Sequence, residues 1–269
     1  MFRLRNPYYN SPAGSTMGLL KVISSPLHNV TMVSLGGTCC VAQWIKERIH
    51  QPTQFFDWLG TPAWAIIEIL QPTYKSIFYP DCMYEKGSEG SRKCELHNNR
   101  IHKTKLLSFY HDNEKSTQEL FDTYNRRHQR FYQEFILNPN KNAPMVFFIR
   151  FEIVDVRYLD LELNEFLKTK IPAQRNNYAA EKHEMEKKDI QELSRHLQKH
   201  FPSCKYRLIY LSQYLPAEYF EHVQDKMVYI KLEPFNPAHH WNFASRINSA
   251  ISKHADKLQK IVDANVTIK

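Results

Sequence analysis

The chain has 269 residues, a formal net charge of +8, 42% hydrophobic residues and 24% charged residues. This length and composition allow a substantial buried core, which excludes an intrinsically disordered protein. The chain is rich in aromatic residues, with 16 Phe and 15 Tyr, but has only 7 Gly, which excludes a glycine-rich repeat protein.

The sequence predicts a cytoplasmic protein with no membrane partner. No apolar run reaches the roughly 20 residues that a membrane-spanning helix needs, and the first residues lack the apolar stretch of a signal peptide. Five cysteines without regular spacing fit a reducing compartment. Basic residues are interleaved with acidic ones, as in Lys182–Lys199, so the charge indicates a solvated surface rather than a nucleic-acid interface.

The first predicted elements form a strand, a turn and two helices. Residues 1–27 contain Pro, Ser and Asn without clear periodicity, which predicts a poorly ordered lead-in to a single domain over residues 28–269. The pattern then predicts a strand at Val30–Leu35, a glycine turn at Gly36–Thr38, and helices at Cys39–His50 and Pro62–Leu70.

The remainder of the chain alternates helices with apolar strands. An irregular stretch of short strands and loops is predicted from Gln71 to Asp112. The elements predicted after it are a helix at Ser116–Leu137, a strand at Met145–Phe151, a helix at Tyr178–Phe201, strands at Tyr206–Leu211 and Met227–Leu232, and a helix at His239–Ala264. Buried strands separated by helices predict an α/β fold, a mostly parallel sheet covered by helices.

Cys39 is the strongest candidate for a functional residue. It follows Gly36, Gly37 and Thr38 at the start of a predicted helix, where unpaired backbone amides and the helix dipole favour negative charge. A thiol in such a position has its anion stabilised, and the same amides can stabilise an oxyanion on a substrate carbonyl. Two alternatives are a buried cysteine that packs a helix end, and a turn that binds a phosphate or nucleotide.

Several sequence blocks resemble a family of papain-like cysteine peptidases that occurs in bacteria and large DNA viruses and was formerly catalogued as a domain of unknown function. The first block, Ser34–Cys39 followed by Ala42, resembles the opening motif of that family. The later blocks are Phe56-Asp57-Trp58, with Phe55 where the family usually has proline, then His111-Asp112, Tyr124–Arg127 with Arg130-Phe131, and Phe147–Arg150. The resemblance covers roughly residues 30–155, and if the source is a virus it implies a location in the host cytoplasm.

The resemblance implies a nucleophile, a base and an orienting carboxylate. Cys39 is the implied nucleophile, His111 the implied base, and Asp57 or Asp112 the implied partner of the imidazole. It also implies an α+β fold with the nucleophile helix packed against an antiparallel barrel, which is an alternative to the parallel sheet. A parallel sheet instead leaves esterase, acyl-transfer or nucleotide-related chemistry open.

Further candidates lie at predicted strand ends and helix starts. Candidate oxyanion or substrate-binding residues are Gly36, Gly37, Thr38, Trp58, Arg127, Arg150 and His240. His239 and His240 open the last predicted helix and are reserve candidates for the base. Arg150 and Glu152, Ser212 and Gln213, and Glu233 each follow a predicted strand. A loose Cys/His set (Cys82, Cys94, His97 and His102) lacks zinc-finger spacing, so no metal or other cofactor is predicted.

The leading hypothesis is therefore a cysteine hydrolase that cleaves an amide or ester of a peptide or small acyl substrate through an acyl-enzyme. The competing hypothesis is a non-catalytic binding or structural protein, for example a host-interaction protein, that keeps the fold. The sequence leaves the oligomeric state open.

Overall fold

The computed structural model describes twelve segments of the chain. They are residues 27–37, 39–49, 53–71, 83–86, 91–94, 107–109, 115–137, 145–152, 172–216, 220–223, 226–233 and 243–266. The predicted lead-in, residues 1–27, lies outside them except for Leu27, which is buried against the hydrophobic core.

Helices and strands alternate along much of the described chain. The strands are β1 Val30–Ser34, β2 Leu59–Gly60, β3 Met83–Lys86, β4 Ser91–Cys94, β5 Leu107–Phe109, β6 Met145–Phe151, β7 Tyr206–Ser212, β8 Phe220–Val223 and β9 Met227–Lys231. The helices are α1 Cys39–Arg48, α2 Ala63–Ile69, α3 Thr117–Phe131, α4 Pro172–His200, α5 Phe243–Lys253 and α6 Ala255–Val266. A π-helical turn, Tyr132–Leu137, continues α3.

The main sheet confirms the predicted α/β fold. Its strand order is β1-β6-β7-β9-β8, and β1, β6, β7 and β9 are parallel. The edge strand β8, which was not predicted, pairs antiparallel with β9. Helix α1 therefore packs on a parallel sheet, and not on the antiparallel barrel of the papain-like alternative.

Helices cover both faces of this sheet. One hydrophobic cluster joins α2, α3 and α4 to alternate strand residues such as Val146 and Phe148, and we call this side the first face. A second cluster joins α1, α5 and α6 to the intervening residues, such as Phe147 and Ile149, on the second face. Because successive side chains of a strand point to opposite faces, a strand buried on both sides has a continuous apolar sequence.

A second, smaller sheet lies within residues 59–109. Its antiparallel order is β2-β5-β4-β3, and β2 and β5 pair through Leu59 with Phe109 and Gly60 with Ser108. This sheet accounts for part of the stretch that the sequence predicted as short strands and loops.

Local signals in the sequence explain the start of α3. Ser116 forms a capping box, in which its hydroxyl accepts from the Glu119 amide at 3.2 Å and the Glu119 carboxylate accepts from the Ser116 amide at 2.8 Å. These contacts satisfy amides that a helix start leaves unpaired. The predicted last helix is instead two helices, α5 and α6, interrupted at His254.

No helix in the described segments has both the length and the apolar character needed to cross a membrane.

Candidate functional site at the carboxyl edge of the sheet

The predicted glycine turn lies directly after β1, at the carboxyl edge of the parallel strands. Leu35 extends the pairing with β6 by donating its amide to the Ile149 carbonyl at 2.9 Å. Gly36 and Gly37 follow with φ angles of 70° and 92°, a conformation that side-chain-bearing residues rarely adopt. A Cβ on Gly36 would lie 3.2 Å from the carbonyl oxygen of Leu59 and from Thr61 Oγ1, so the turn also requires close backbone packing.

Cys39 is the first residue of α1 and is partly exposed. Its neighbour Cys40 is also partly exposed and packs against the second-face cluster. Trp44, one turn further along α1, donates its indole N–H to Asn248 of α5 at 3.3 Å, which holds the helix against the second face. In contrast, Cys204 is buried, and burial raises its thiol pKa to about 11. The predicted nucleophile is therefore a thiol, not part of a disulfide, at a helix start beside the carboxyl edge of β1.

Arg150 is the largest fully buried side chain among the described residues. Its Nε donates to Glu186 Oε1 of α4 at 2.7 Å, and its Nη1 donates to the carbonyl of Leu35 at 3.0 Å and to the carbonyl of Thr61. The guanidinium group thus joins β6, α4, the residue before the glycine turn and the start of α2. Its Nη2 has no hydrogen-bond partner in the described part of the chain, and its predicted substrate contact stays a prediction.

Asp57 lies in the turn that precedes β2 and is only 6% exposed. Its Oδ2 accepts from the Gln54 amide at 2.7 Å, so the carboxylate stabilises its own turn. Burial raises the Asp57 pKa to about 6, although the Gln54 amide and the charges of Arg127 and Arg130 oppose this rise. A buried carboxyl group that titrates near neutral pH is compatible with a functional role as well as with a structural one.

The remaining predicted residues near Asp57 belong to contacts between α1, α3 and this turn. Trp58 has a φ of 67° and lies with its ring 5.8 Å from Lys46 Nζ in the last turn of α1. Arg127 places its guanidinium group 5.0 Å from the Tyr124 ring, and Arg130 donates to the Thr53 carbonyl. The contacts of Trp58 and Arg130 fasten the turn to α1 and α3, whereas the contact of Arg127 lies within α3.

The other predicted site residues lie outside the described segments: Thr38, His111, Asp112, His239 and His240, together with Cys82, His97 and His102 of the loose Cys/His set. Their predicted roles stay predictions. Within the described segments, no three His, Cys, Asp or Glu side chains lie close enough together to hold a metal ion.

Glu152, His183 and Ser212 form a buried polar group that we call the edge cluster. Glu152 follows β6, Ser212 ends β7, and His183 projects from α4. The His183 Nδ1 contacts Glu152 Oε1, and the Ser212 hydroxyl donates to Glu152 Oε2. All three are at most 7% exposed.

The alternation of the strands explains how the edge cluster forms. Arg150 and Glu152 continue the row of Val146 and Phe148 on the first face of the sheet, and Ser212 continues the corresponding row of β7. Both rows therefore face α4 where the strands end. Glu152 and Ser212 match the predicted strand ends, whereas His183 was not predicted as a site residue.

A sequence signal for His183 exists in α4. His183, Glu186, Ile190, Leu193 and Leu197 are spaced by three and four residues, and the three apolar members belong to the first-face cluster. This spacing places all five on one side of a helix. A histidine at the end of an apolar stripe could thus have been predicted to face the sheet, although not to contact Glu152.

Aromatic and cationic side chains surround the edge cluster. Tyr210 stacks on His183 with 6.3 Å between ring centroids, and Tyr214 lies 5.7 Å away. Burial and the charges of Glu152 and Glu186 raise the Tyr210 pKa well above its ordinary value, so its hydroxyl remains protonated at neutral pH. Lys231 donates to the carbonyls of Gln213 and Leu215 and thereby holds the chain that leaves β7.

Comparison of the chain with protein-family models, with curated proteins and with solved structures finds no match. The sheet and its helices define an α/β protein, and its candidate functional residues lie at the carboxyl edge of the sheet.

Proposed function

We propose that this protein is a cysteine-dependent hydrolase that acts on an amide or ester. The observation that carries the proposal is the position of Cys39, a partly exposed thiol on the first residue of α1, after a glycine turn at the carboxyl edge of a parallel sheet. Ligands of open α/β sheets bind at this edge. The motif resemblance around Cys39 supports the same chemistry.

The proposed reaction begins with the Cys39 thiolate, which the amides and dipole of the α1 start stabilise. The sulfur attacks the substrate carbonyl and an S–C bond forms. The C–N or C–O bond then breaks, and the amine or alcohol leaves with a proton taken from solvent or from a protonated base. Water then hydrolyses the thioester, which releases the acid and regenerates the thiolate. The amides of the turn stabilise the oxyanion in both steps.

Alkylation of the native protein with iodoacetamide tests the thiolate. Near pH 6, Cys39 should react at least about fivefold faster than free cysteine, because a larger fraction of it is ionised. Mass spectrometry of the digested protein compares it with two internal controls, the adjacent Cys40 and the buried Cys204. A rate for Cys39 no higher than that of free cysteine overturns the hydrolase proposal and favours the non-catalytic binding protein.

A further inference from the structure

We propose that His183 is the general base that activates water for hydrolysis of the acyl-enzyme, and that Glu152 positions its imidazole ring. This inference rests on the proposed function, since it concerns the second half of the proposed reaction. It identifies a base different from His111, His239 and His240, the histidines that the sequence predicts.

The contacts of Glu152 determine the tautomer of His183. A carboxylate only accepts hydrogen bonds, so the contact between Glu152 Oε1 and His183 Nδ1 requires a proton on Nδ1. In the neutral ring, Nε2 then carries the lone pair. This is the form that a general base needs, and a carboxylate on the opposite nitrogen is the usual way to hold it.

The Nε2 atom of His183 is on the outer side of the edge cluster. It lies 3.8 Å from Glu184 Oε1, whose side chain is 60% exposed, whereas Nδ1 faces the buried Glu152, whose side chain is 2% exposed. Tyr214, which is 38% exposed, flanks the ring. The ring therefore has one nitrogen directed at the buried Glu152 and the other directed at the exposed carboxylate of Glu184.

The neighbouring serine is not the nucleophile of a serine triad. The Ser212 hydroxyl donates its proton to Glu152 Oε2 and accepts from the Tyr214 amide at 3.0 Å. Its only proton is thus engaged with the carboxylate, and it lies on the Nδ1 side of the ring, 3.5 Å from that atom. Ser212 instead donates a hydrogen bond to Oε2, the second carboxylate oxygen of Glu152, and so holds the carboxylate in place.

Pairing between the strands places the edge cluster and the glycine turn at the same edge of the sheet. β6, which leads into Glu152, pairs in parallel with β1, which leads into Gly36. Arg150 links the Leu35 carbonyl to Glu186, and Glu186 lies one helical turn from His183 on α4. The turn that precedes Cys39 and the helix that carries His183 are thereby attached to the same buried side chain.

In the proposed step, a water molecule gives one proton to His183 Nε2 as its oxygen bonds to the thioester carbon. The C–S bond of the tetrahedral intermediate then breaks, the acid leaves, and the sulfur departs as the Cys39 thiolate. The proton on Nε2 passes to solvent or to the next leaving group. No oxidant, reductant or further reactant is required.

Hydrolysis of p-nitrophenyl acetate separates the two halves of the reaction. The native protein should release a burst of p-nitrophenolate as Cys39 becomes acetylated, and then turn over steadily.

His183→Asn keeps an N–H toward Glu152 but has no equivalent of Nε2. This variant should retain the burst, lose about 100-fold in steady turnover and accumulate acetylated Cys39, detected by intact mass. In His183→Ala, free imidazole should restore turnover.

Two further variants test the roles of the residues around His183. Glu152→Gln should lower kcat at least about tenfold, because the ring is no longer held in position. Since only the hydrolysis of the acyl-enzyme is slowed, KM should fall in proportion and kcat/KM should stay unchanged. His196→Gln, on the same helix, is the matched control and should turn over like the native protein. Urea unfolding checks that each variant is folded.

The outcomes separate this inference from the proposed function. If the native protein is never acetylated on Cys39, the hydrolase proposal fails. If Cys39 is acetylated but His183→Asn turns over at the native rate, or loses the burst together with the turnover, the hydrolase stands and the role of His183 is overturned. A native protein that is acetylated but never turns over overturns both the hydrolase proposal and the role of His183.

Discussion

Asp57 is a residue whose burial has a measurable consequence for stability. Its pKa is about 6 in the folded protein, against 3.8 for the same carboxyl group in the unfolded chain, because burial disfavours the carboxylate. The folded state therefore binds the proton more tightly, and the resulting stabilisation is present below pH 3.8 and lost as pH rises through about 6. A shift of this size corresponds to about 3 kcal/mol.

Asp57→Asn removes this titration and keeps an oxygen for the Gln54 amide. We expect the stability of the variant relative to the native protein to improve by about 2 kcal/mol between pH 4.5 and 7.5, measured by urea unfolding. Asp122→Asn, at an exposed position of α3, is the control. A difference between Asp57→Asn and the native protein that does not change with pH would contradict the burial argument.

At the scale of the element, the glycine turn is the segment that positions the start of α1. Gly36→Ala places a Cβ in a left-handed conformation and 3.2 Å from the Leu59 carbonyl. We expect a loss of about 1–3 kcal/mol in the free energy of unfolding, because both the φ angle and the backbone contact resist the methyl group. Urea unfolding measures the loss, and iodoacetamide labelling should show slower alkylation of Cys39.

Gln43→Ala is a suitable comparison, since Gln43 is an exposed residue of α1 whose side-chain amide donates to Glu47 on the same helix. Its effect should stay within about 0.5 kcal/mol. If Gly36→Ala lowers the free energy of unfolding no more than Gln43→Ala does, the turn tolerates a side chain and the strain argument is wrong.

The elements with strong periodicity could be predicted from the sequence. Met145–Phe151 is a strand because an unbroken apolar run suits a position buried on both faces, and the predicted bounds match those of β6. Other features had no local signal. β8 is an edge strand whose pairing with β9 is set by the sheet, and the break at His254 interrupts an amphipathic pattern that continues on both sides.

At the scale of the whole molecule, the edge cluster depends on contacts between distant parts of the chain. Glu152 and Ser212 could be predicted as strand ends, because the ends of parallel strands meet at one edge. His183 lies 31 residues from Glu152, and only the docking of α4 on the first face brings them together. Helical periodicity indicates which side of α4 is buried, but not which strand residue each side chain meets.

Substitution of Arg150 tests how far the stability of the molecule depends on such long-range contacts. Arg150→Met leaves Glu186, whose side chain is 11% exposed, without its cation and removes a donor from two carbonyls. We expect the free energy of unfolding to fall by about 3–5 kcal/mol. Arg195→Met breaks an exposed ion pair on α4 with Glu192 and should cost no more than about 1 kcal/mol. Urea unfolding measures both.

A double variant distinguishes the loss of an attraction from the exposure of an uncompensated charge. If most of the cost of Arg150→Met comes from leaving Glu186 buried and unpaired, then replacing both residues with Met should be less destabilising than Arg150→Met alone, since neither charge of the pair then remains in the interior. The carbonyls of Leu35 and Thr61 still lose their donor in the double variant, so part of the cost should persist. If the double variant equals the sum of the two single variants, Arg150 and Glu186 are not energetically coupled. The guanidinium group would then stabilise the molecule through the two carbonyls beside the glycine turn and not through α4.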